Sequence, residues 1–403
     1  MKILHTADLH LGHRFIELSQ QEEQQAFLDW LVQYVDNQKI DLLLISGDVF
    51  DTPHPSNATT RMYYKFLIDI HRTHCKKVVI TAGNHDAAST INAPKEILEM
   101  LDIYVVGKAP SSEAINEEVF SITVEDEEVI VAAVPFLRDQ DIRKAMAGQQ
   151  FEEIGDKYKK ALIEHYDAVA EYCQSINTNQ VPVIAMGHLF SIGGSTSTSD
   201  SERNVYVGGL GDIGSDDFST VFDYVALGHL HRCQKIDKEH IRYSGSPYVL
   251  SFSEVHHDKK VIVLHLEDKQ IKEIEEVAVP TFRNISVVRG NLEECLEALE
   301  QIPSTTDTLK PWVEVVVKTE NNNYTLSSAI NEKAETLPLE VLKVSLSRSK
   351  KEKKISREMS LQEVKELKVE DAFQLLCEQQ DIDLQSRSDL NDAFLEIYRS
   401  IQE

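Results

Sequence analysis

Five short polar clusters stand along the first part of the chain: Thr6-Ala7-Asp8-Leu9-His10, Ser46-Gly47-Asp48-Val49-Phe50-Asp51, Ala82-Gly83-Asn84-His85-Asp86, Met186-Gly187-His188 and Leu227-Gly228-His229-Leu230-His231. Their side chains form a hard-to-borderline donor set: the carboxylates of Asp8 and Asp48, the amide oxygen of Asn84, and the imidazoles of His10, His188, His229 and His231. That mixture suits Mn(II), Fe or Zn better than Mg(II) or Ca(II), which favour all-oxygen shells. Seven donors exceed what one ion takes while keeping an open position, and match two ions sharing a bridging carboxylate. Taken alone, a D-x-H is more often a strand-end cap than a ligand pair, and a lone histidine as readily satisfies a buried carbonyl. All five clusters in one chain, each behind its own apolar run, shift the reading to a metal centre.

Those apolar, β-branched runs cover residues 2–5, 42–46, 78–81, 181–186 and 224–227, with further strand candidates at 129–134 and 261–266. Amphipathic helical patterns over 22–37, 58–74 and 155–174 fall between several of them. Strands alternating with helices predict an α/β core, whose ligands sit beyond the carboxyl ends of the strands, so the clusters should converge. Glycine lies in four of the five, where the chain must turn sharply and bring its backbone close to the site. From about Val279 the pattern becomes strand 285–288, helix 292–301, strand 312–318, helix 326–336 and strand 341–346, a small α+β domain. The expected division is therefore 1–280, 281–346 and 347–403. The last segment opens on a basic linker, 348–357, and carries two helical patterns. Ser360-Leu361-Gln362-Glu363 fits a capping box ahead of Val364, Leu367, Phe373 and Leu376. Leu390, Phe394, Ile397 and Ile401 follow at helical spacing.

In these residues the chain resembles the calcineurin-like metallophosphoesterases, whose pattern is D-x-H, G-D-x-x-D, G-N-H-[DE], H and G-H-x-H. Within them it looks most like the bacterial DNA-end-processing nucleases. The closer likeness rests on the opening residues 1–12, on Asp200-Ser201-Glu202-Arg203 followed by Val207-Gly208-Gly209, and on Tyr243-Ser244-Gly245-Ser246-Pro247 followed by Phe252-Ser253-Glu254. It covers nearly the whole chain, the small domain and terminal helices matching in layout more than in motif. The resemblance implies an α/β two-sheet sandwich flanked by helices, with a small α+β capping domain and C-terminal helices. It implies two Mn(II) ions or related divalent transition metals, one held by Asp8, His10, Asp48 and His231, the other by Asp48, Asn84, His188 and His229. His85 would face the scissile phosphate as general acid or transition-state stabiliser, oriented by Asp86. At Asp51 the archaeal and eukaryotic relatives place histidine, so a supporting role is expected there at most; whether His54 substitutes is left open.

A two-metal site alone implies phosphoester hydrolysis, and the same grammar serves protein phosphatases, nucleotide phosphodiesterases and non-catalytic scaffolds. Every ligand position is filled here, which disfavours a scaffold. The 281–346 domain and helical tail favour a nuclease over a nucleotide or small-molecule phosphodiesterase, the alternative. By resemblance the activity is 3′→5′ exonuclease on double-stranded DNA ends and endonuclease on single strands or hairpins, in DNA repair and recombination. No G-x-x-x-x-G-K-[ST] occurs, so ATP dependence would come from a partner. The resemblance supplies one, a coiled-coil ABC-type ATPase docked on the terminal helices. It also supplies a homodimer, and so a two-plus-two assembly, through helices bearing Met62, Tyr63, Phe66, Leu67 and Ile70, and Ile97, Leu98 and Leu101. By periodicity alone both stripes read as packing on their own sheet.

Across 403 residues, 67 Asp+Glu against 41 Lys+Arg leave a net charge of −26. That balance argues against strong intrinsic phosphate binding. Two divalent ions would restore positive charge where a phosphate must sit, so the expectation is weak intrinsic DNA affinity with a partner holding the duplex. No apolar run approaches the roughly 20 residues of a membrane span, and the start lacks a signal-peptide stretch. Cys75, Cys173, Cys233, Cys295 and Cys377 lie far apart without a C-x-x-C pair, as expected of a reduced, cytoplasmic protein.

Overall fold

The computed structural model describes residues 1–138, 151–191, 213–303, 309–318, 324–347 and Phe394. Contacts divide the chain into Met1–Ser347 and Arg348–Glu403. The basic linker and both terminal helical patterns lie outside the described residues, Phe394 excepted, and so does the 200–209 motif.

The first unit begins β1 (Lys2–Thr6), β2 (Arg14–Phe15), β3 (Leu18–Ser19), α1 (Gln21–Gln38), β4 (Leu42–Ser46), α2 (Asn57–Arg72), β5 (Lys77–Thr81), α3 (Ala88–Asn92), α4 (Lys95–Glu99) and β6 (Ile103–Val106). It continues β7 (Val119–Val124), β8 (Glu127–Ala133), α5 (Phe151–Ile176), β9 (Val183–His188), β10 (Tyr224–Gly228), β11 (Gln234–Ile236), β12 (Lys238–Tyr243), β13 (Lys260–Glu267) and β14 (Gln270–Ala278). Two mixed six-stranded sheets result, ordered β14-β13-β1-β4-β5-β6 and β11-β12-β10-β9-β8-β7.

The run Leu42-Leu43-Leu44-Ile45 shows how sequence builds the layers. Successive side chains on a strand point to opposite faces, so a strand covered on both sides is apolar throughout. Leu43 and Ile45 pack with Phe27, Leu31, Met62 and Phe66 from α1 and α2. Leu42 and Leu44 meet Ile184, Met186, Tyr224 and Ala226 of the second sheet. The outer face of that sheet, through Val183, Ala185 and Val225, packs on Leu162, Tyr166 and Val169 of α5. The first unit is thus layered helix, sheet, sheet, helix, the α/β sandwich expected. The α2 stripe of Met62, Tyr63, Phe66, Leu67 and Ile70 lies in its own core with Leu98, Leu101 packing at the edge. Ile68, Ile97 and Met100 are the exposed apolar residues nearby.

A third sheet, all parallel, is ordered β15-β16-β17. Its chain order is β15 (Arg283–Gly290), α6 (Leu292–Glu300), β16 (Leu309–Lys318), α7 (Tyr324–Glu335) and β17 (Glu340–Ser347). Helix α6 starts on a capping box in which Asn291 and Glu294 satisfy each other's backbone N–H groups. The sheet is seated on the sandwich by a cluster of Phe15, Phe252 and Trp312. Beside it the Arg283 guanidinium lies 4.0 Å over the Trp312 ring and pairs with Glu22 and Glu23. A cavity of about 540 Å³ adjoins this seam, lined among others by Gln20, Glu23, Tyr248, Lys259 and Arg283.

Several elements differ from expectation. The strand expected at 181–186 is Val183–His188, because Pro182 has no N–H to give a ladder, and His188 itself ends the strand. The edge strands β6, β7, β11 and β14, the interior strand β12 and the short pair β2–β3 were not anticipated, and α5 is longer at both ends. Among the described residues no helix is long and apolar enough to cross a membrane.

Candidate metal centre

The five clusters follow the carboxyl ends of β1, β4 and β5, parallel neighbours in one sheet, and of β9 and β10, parallel neighbours in the other. Face-to-face packing brings these ends together. The N–H of Asp8 donates to the Gly47 carbonyl (3.1 Å), and His188 Nδ1–H donates to the Ser46 carbonyl (2.9 Å) across the sheets. Gly47 is required at this crossing: its φ is +83°, and a Cβ there would stand 2.2 Å from His188 Nδ1. Asp8, His10, Asp48, His188, His229 and His231 are all buried, and Asn84 is half-buried.

Each carboxylate divides its work. Asp8 Oδ1 accepts the His229 N–H (2.8 Å), while its buried Oδ2 has no hydrogen-bond partner. Asp48 Oδ1 accepts the His85 N–H (2.9 Å), while its Oδ2 lies 3.2 Å from His188 Nε2 and 3.5 Å from His10 Nε2. Asn84 Oδ1 lies 2.9 Å from His188 Nε2 and 3.1 Å from His229 Nδ1. Among the described residues, three groups of donor atoms each fall within 4.8 Å of one another: Asp8, His10 and His231; Asp48, His188 and His229; and His10, Asp51 and His85, the last sharing His10 with the first. The shared oxygen of Asp48 stands between the first two. Backbone strain marks the same residues, since Asp8, His10, Asp48 and His229 all have positive φ, His229 at 103°. Such conformations cost of order 1–3 kcal/mol each and persist where the surroundings enforce them.

Burial sets the electrostatics. It pushes Asp8 up to about 7 and depresses His10 to about 4 and His229 to about 3. For Asp48 burial is outweighed by His188, His10 and His85, which hold its carboxyl well below the usual range. His188 is conversely raised to about 9, the Asp48 and Asp8 carboxylates overcoming burial. Protons thus occupy places where positive charge is wanted. Orphaned carboxylate and imidazole atoms, oxygen and nitrogen mixed, and a negative charge shared by two donor groups fit a pair of divalent transition-metal ions.

Around this centre the structure redistributes expected roles. His85 is buried, its ring 4.8 Å from that of His10. Its Nδ1–H donates to the Asp51 carbonyl (2.8 Å), leaving Nε2 without a hydrogen-bond partner. The expected orienting contact from Asp86 is absent: that carboxylate accepts the N–H groups of Gly83, Val49 and Phe50 at 2.8, 3.1 and 2.9 Å. Asp86 ties two loops together, and Asp51 holds His85. The Asp51 carboxylate also lies 3.2 Å from His10 Nδ1 and 2.9 Å from His13 Nδ1. His54 is exposed and belongs to none of these donor groups. Sequence reasoning gave no role to His13, whose Nε2 bonds the Leu250 carbonyl (3.0 Å), or to Glu254, buried against His231. Glu254 lies in a motif named above and His13 just past the opening one, but a contact between residues 13 and 250 is not visible in spacing.

Residues 1–233 match the calcineurin-like phosphoesterase family, and residues 281–381 match the type 5 capsule protein repressor C-terminal domain. The chain is 32% identical over 396 residues to the D subunit of nuclease SbcCD from Escherichia coli K12, covering 98% of this chain and 97% of that one. It is 30% identical over 362 residues to the corresponding SbcCD subunit of Rhodobacter capsulatus, covering 86% and 88%. To that of Bacillus subtilis it is 33% identical over 270 residues, 66% of each.

Proposed function

Because the chain belongs to the calcineurin-like phosphoesterases, in the branch of the SbcCD nuclease D subunits, we propose that it hydrolyses DNA phosphodiesters at a two-Mn(II) centre. In this reading one ion is held by Asp8, His10, Asp48 and His231, the other by Asp48, Asn84, His188 and His229. The observation that carries it is the pair of buried donor groups meeting at Asp48 Oδ2. Bound ions supply charge for the scissile phosphate and lower the pKa of water. The chain does the rest. Asp8 and Asp48 each spend one oxygen on a backbone N–H and keep the other for coordination. His85, pinned through Nδ1 by Asp51, presents Nε2 to the phosphate and handles the proton of the leaving oxygen.

The proposal extends to 3′→5′ exonuclease action on double-stranded ends and endonuclease action on single strands or hairpins, in DNA repair, recombination and replication. An SbcC-type coiled-coil ABC ATPase would supply ATP dependence, with two copies of each chain and the work done in the bacterial cytoplasm at the nucleoid. Exposed Ile68, Ile97 and Met100, rather than the buried α2 stripe, would form the apolar part of the homodimer contact. Linear duplex DNA, a hairpin and bis-p-nitrophenyl phosphate, each given to the purified chain with Mn(II) and with or without the ATPase, test the reading. DNA cleavage is expected; cleavage of the small ester alone would assign a nucleotide or small-molecule phosphodiesterase instead. H85L should keep both ions and lose DNA cleavage, and loss of ions in that variant would remove the role given to His85.

A further inference from the structure

We propose that Glu254 is the positioning residue for His231, fixing the tautomer that offers Nε2 to one ion and thereby holding that ion alone. The inference rests on the two-ion reading above. Glu254 is fully buried, a costly place for a carboxylate unless every lone pair is used. Its Oε1 lies 2.9 Å from His231 Nδ1. Its Oε2 accepts from the Leu250 N–H (3.2 Å) and from Lys259 Nζ (2.8 Å). Lys259 is itself nearly buried and donates to Ser246 Oγ (2.7 Å). With both oxygens engaged, Glu254 is no ligand; it is built to receive one imidazole proton.

A histidine whose Nδ1–H is taken by a carboxylate carries its lone pair on Nε2, with a fixed ring plane and raised basicity. His231 has that arrangement. His188, in the other donor group, gives its Nδ1–H to the neutral carbonyl of Ser46. Loss of Glu254 should therefore fall on the ion served by Asp8, His10 and His231 and spare the one served by His188 and His229. The support is itself anchored: Phe252, two residues before, packs edge-on against Phe15, ring centroids 4.8 Å apart.

The test compares full-length wild type, E254Q and E254A. Mn(II) binding is followed by the EPR signal of free ion, and the metal-free thermal midpoint is recorded. The 15N shifts of His231 are read in histidine-labelled protein, assigned by the signal missing from H231N. Wild type should bind two ions. E254A should weaken one of them by about 10–100-fold, leave the other unchanged, and show His231 as a mixture of tautomers. E254Q keeps an acceptor at the same reach and should lose less; it also keeps the test alive if E254A fails to fold. Wild-type affinity for both ions in the two variants would overturn the proposal. So would equal weakening of both ions with a lowered thermal midpoint, the mark of a purely structural residue. Fewer than two ions in the wild type would overturn the two-ion reading beneath it, an outcome separate from the variants' behaviour.

Discussion

At the scale of single residues, Asp48 is the one on which both ions of the proposed centre would depend. Its Oδ1 is committed to the His85 N–H, so Oδ2 alone serves two donor groups. D48A should lose both ions on dialysis and H188A one, by metal analysis of the dialysed protein; equal stoichiometries would refute the shared role. The pH dependence follows from the same residues. Loading requires Asp8, near 7, to lose its proton, and His188, near 9, to lose its own, while Asp48 is ionised and His10 and His229 are neutral already. Metal binding should release protons, and the affinity for each ion should rise by about tenfold per pH unit, up to about pH 7 for the ion served by Asp8 and up to about pH 9 for the one served by His188. Calorimetry in two buffers of different ionisation enthalpy measures this, and a flat profile would dismiss it. The convergence of the seven expected donors was legible in the sequence because each is a donor type that follows an apolar strand. Asp86 was misassigned because a carboxylate that binds backbone N–H groups looks, in sequence, like one that orients a side chain.

Elements hold these atoms to narrow tolerances. Gly47 joins β4 to Asp48 where a Cβ would strike the His188 ring. G47A is expected to cost on the order of 1–3 kcal/mol through crowding, with further strain from its left-handed backbone, read as a lower thermal midpoint and weaker metal retention. An unchanged midpoint would show that the sheet ends can separate. Further from the centre, Arg283 begins β15 and satisfies buried Glu23 of α1. R283M should destabilise by about 3–5 kcal/mol, the penalty for an orphaned buried charge, and E23Q in the same chain should recover part of it; denaturant melts decide. Strand β14 shows why some elements were illegible. Ile271, Ile274 and Val277 are three apart, a helical spacing, yet Ile271 and Ile274 face the inter-sheet core and Val277 the opposite side. A register shift against His265 and Leu266 inserts an extra residue, which breaks the two-residue period that would have announced a strand.

Across the whole molecule the charge of −26 sets how DNA is met. Positive charge at the proposed centre would come chiefly from bound ions, against a net negative charge that disfavours phosphate. Salt screens that repulsion, and few side-chain cations contact phosphate, so cleavage by the chain alone should change little between about 50 and 200 mM salt; a steep fall, the mark of many Lys/Arg–phosphate contacts, would contradict it. The order of strands has a consequence for synthesis. β1 lies between β4 and β13, with Lys2 opposite His265, so a strand made first is completed by one made roughly 260 residues later, on the order of ten seconds to a minute at bacterial and eukaryotic translation rates. Asp8 and His10 emerge with β1 and wait for His188, His229 and His231. On the proposed ligand set, the centre would be incomplete on a half-made chain, and cleavage would have to wait until the second sheet has been made.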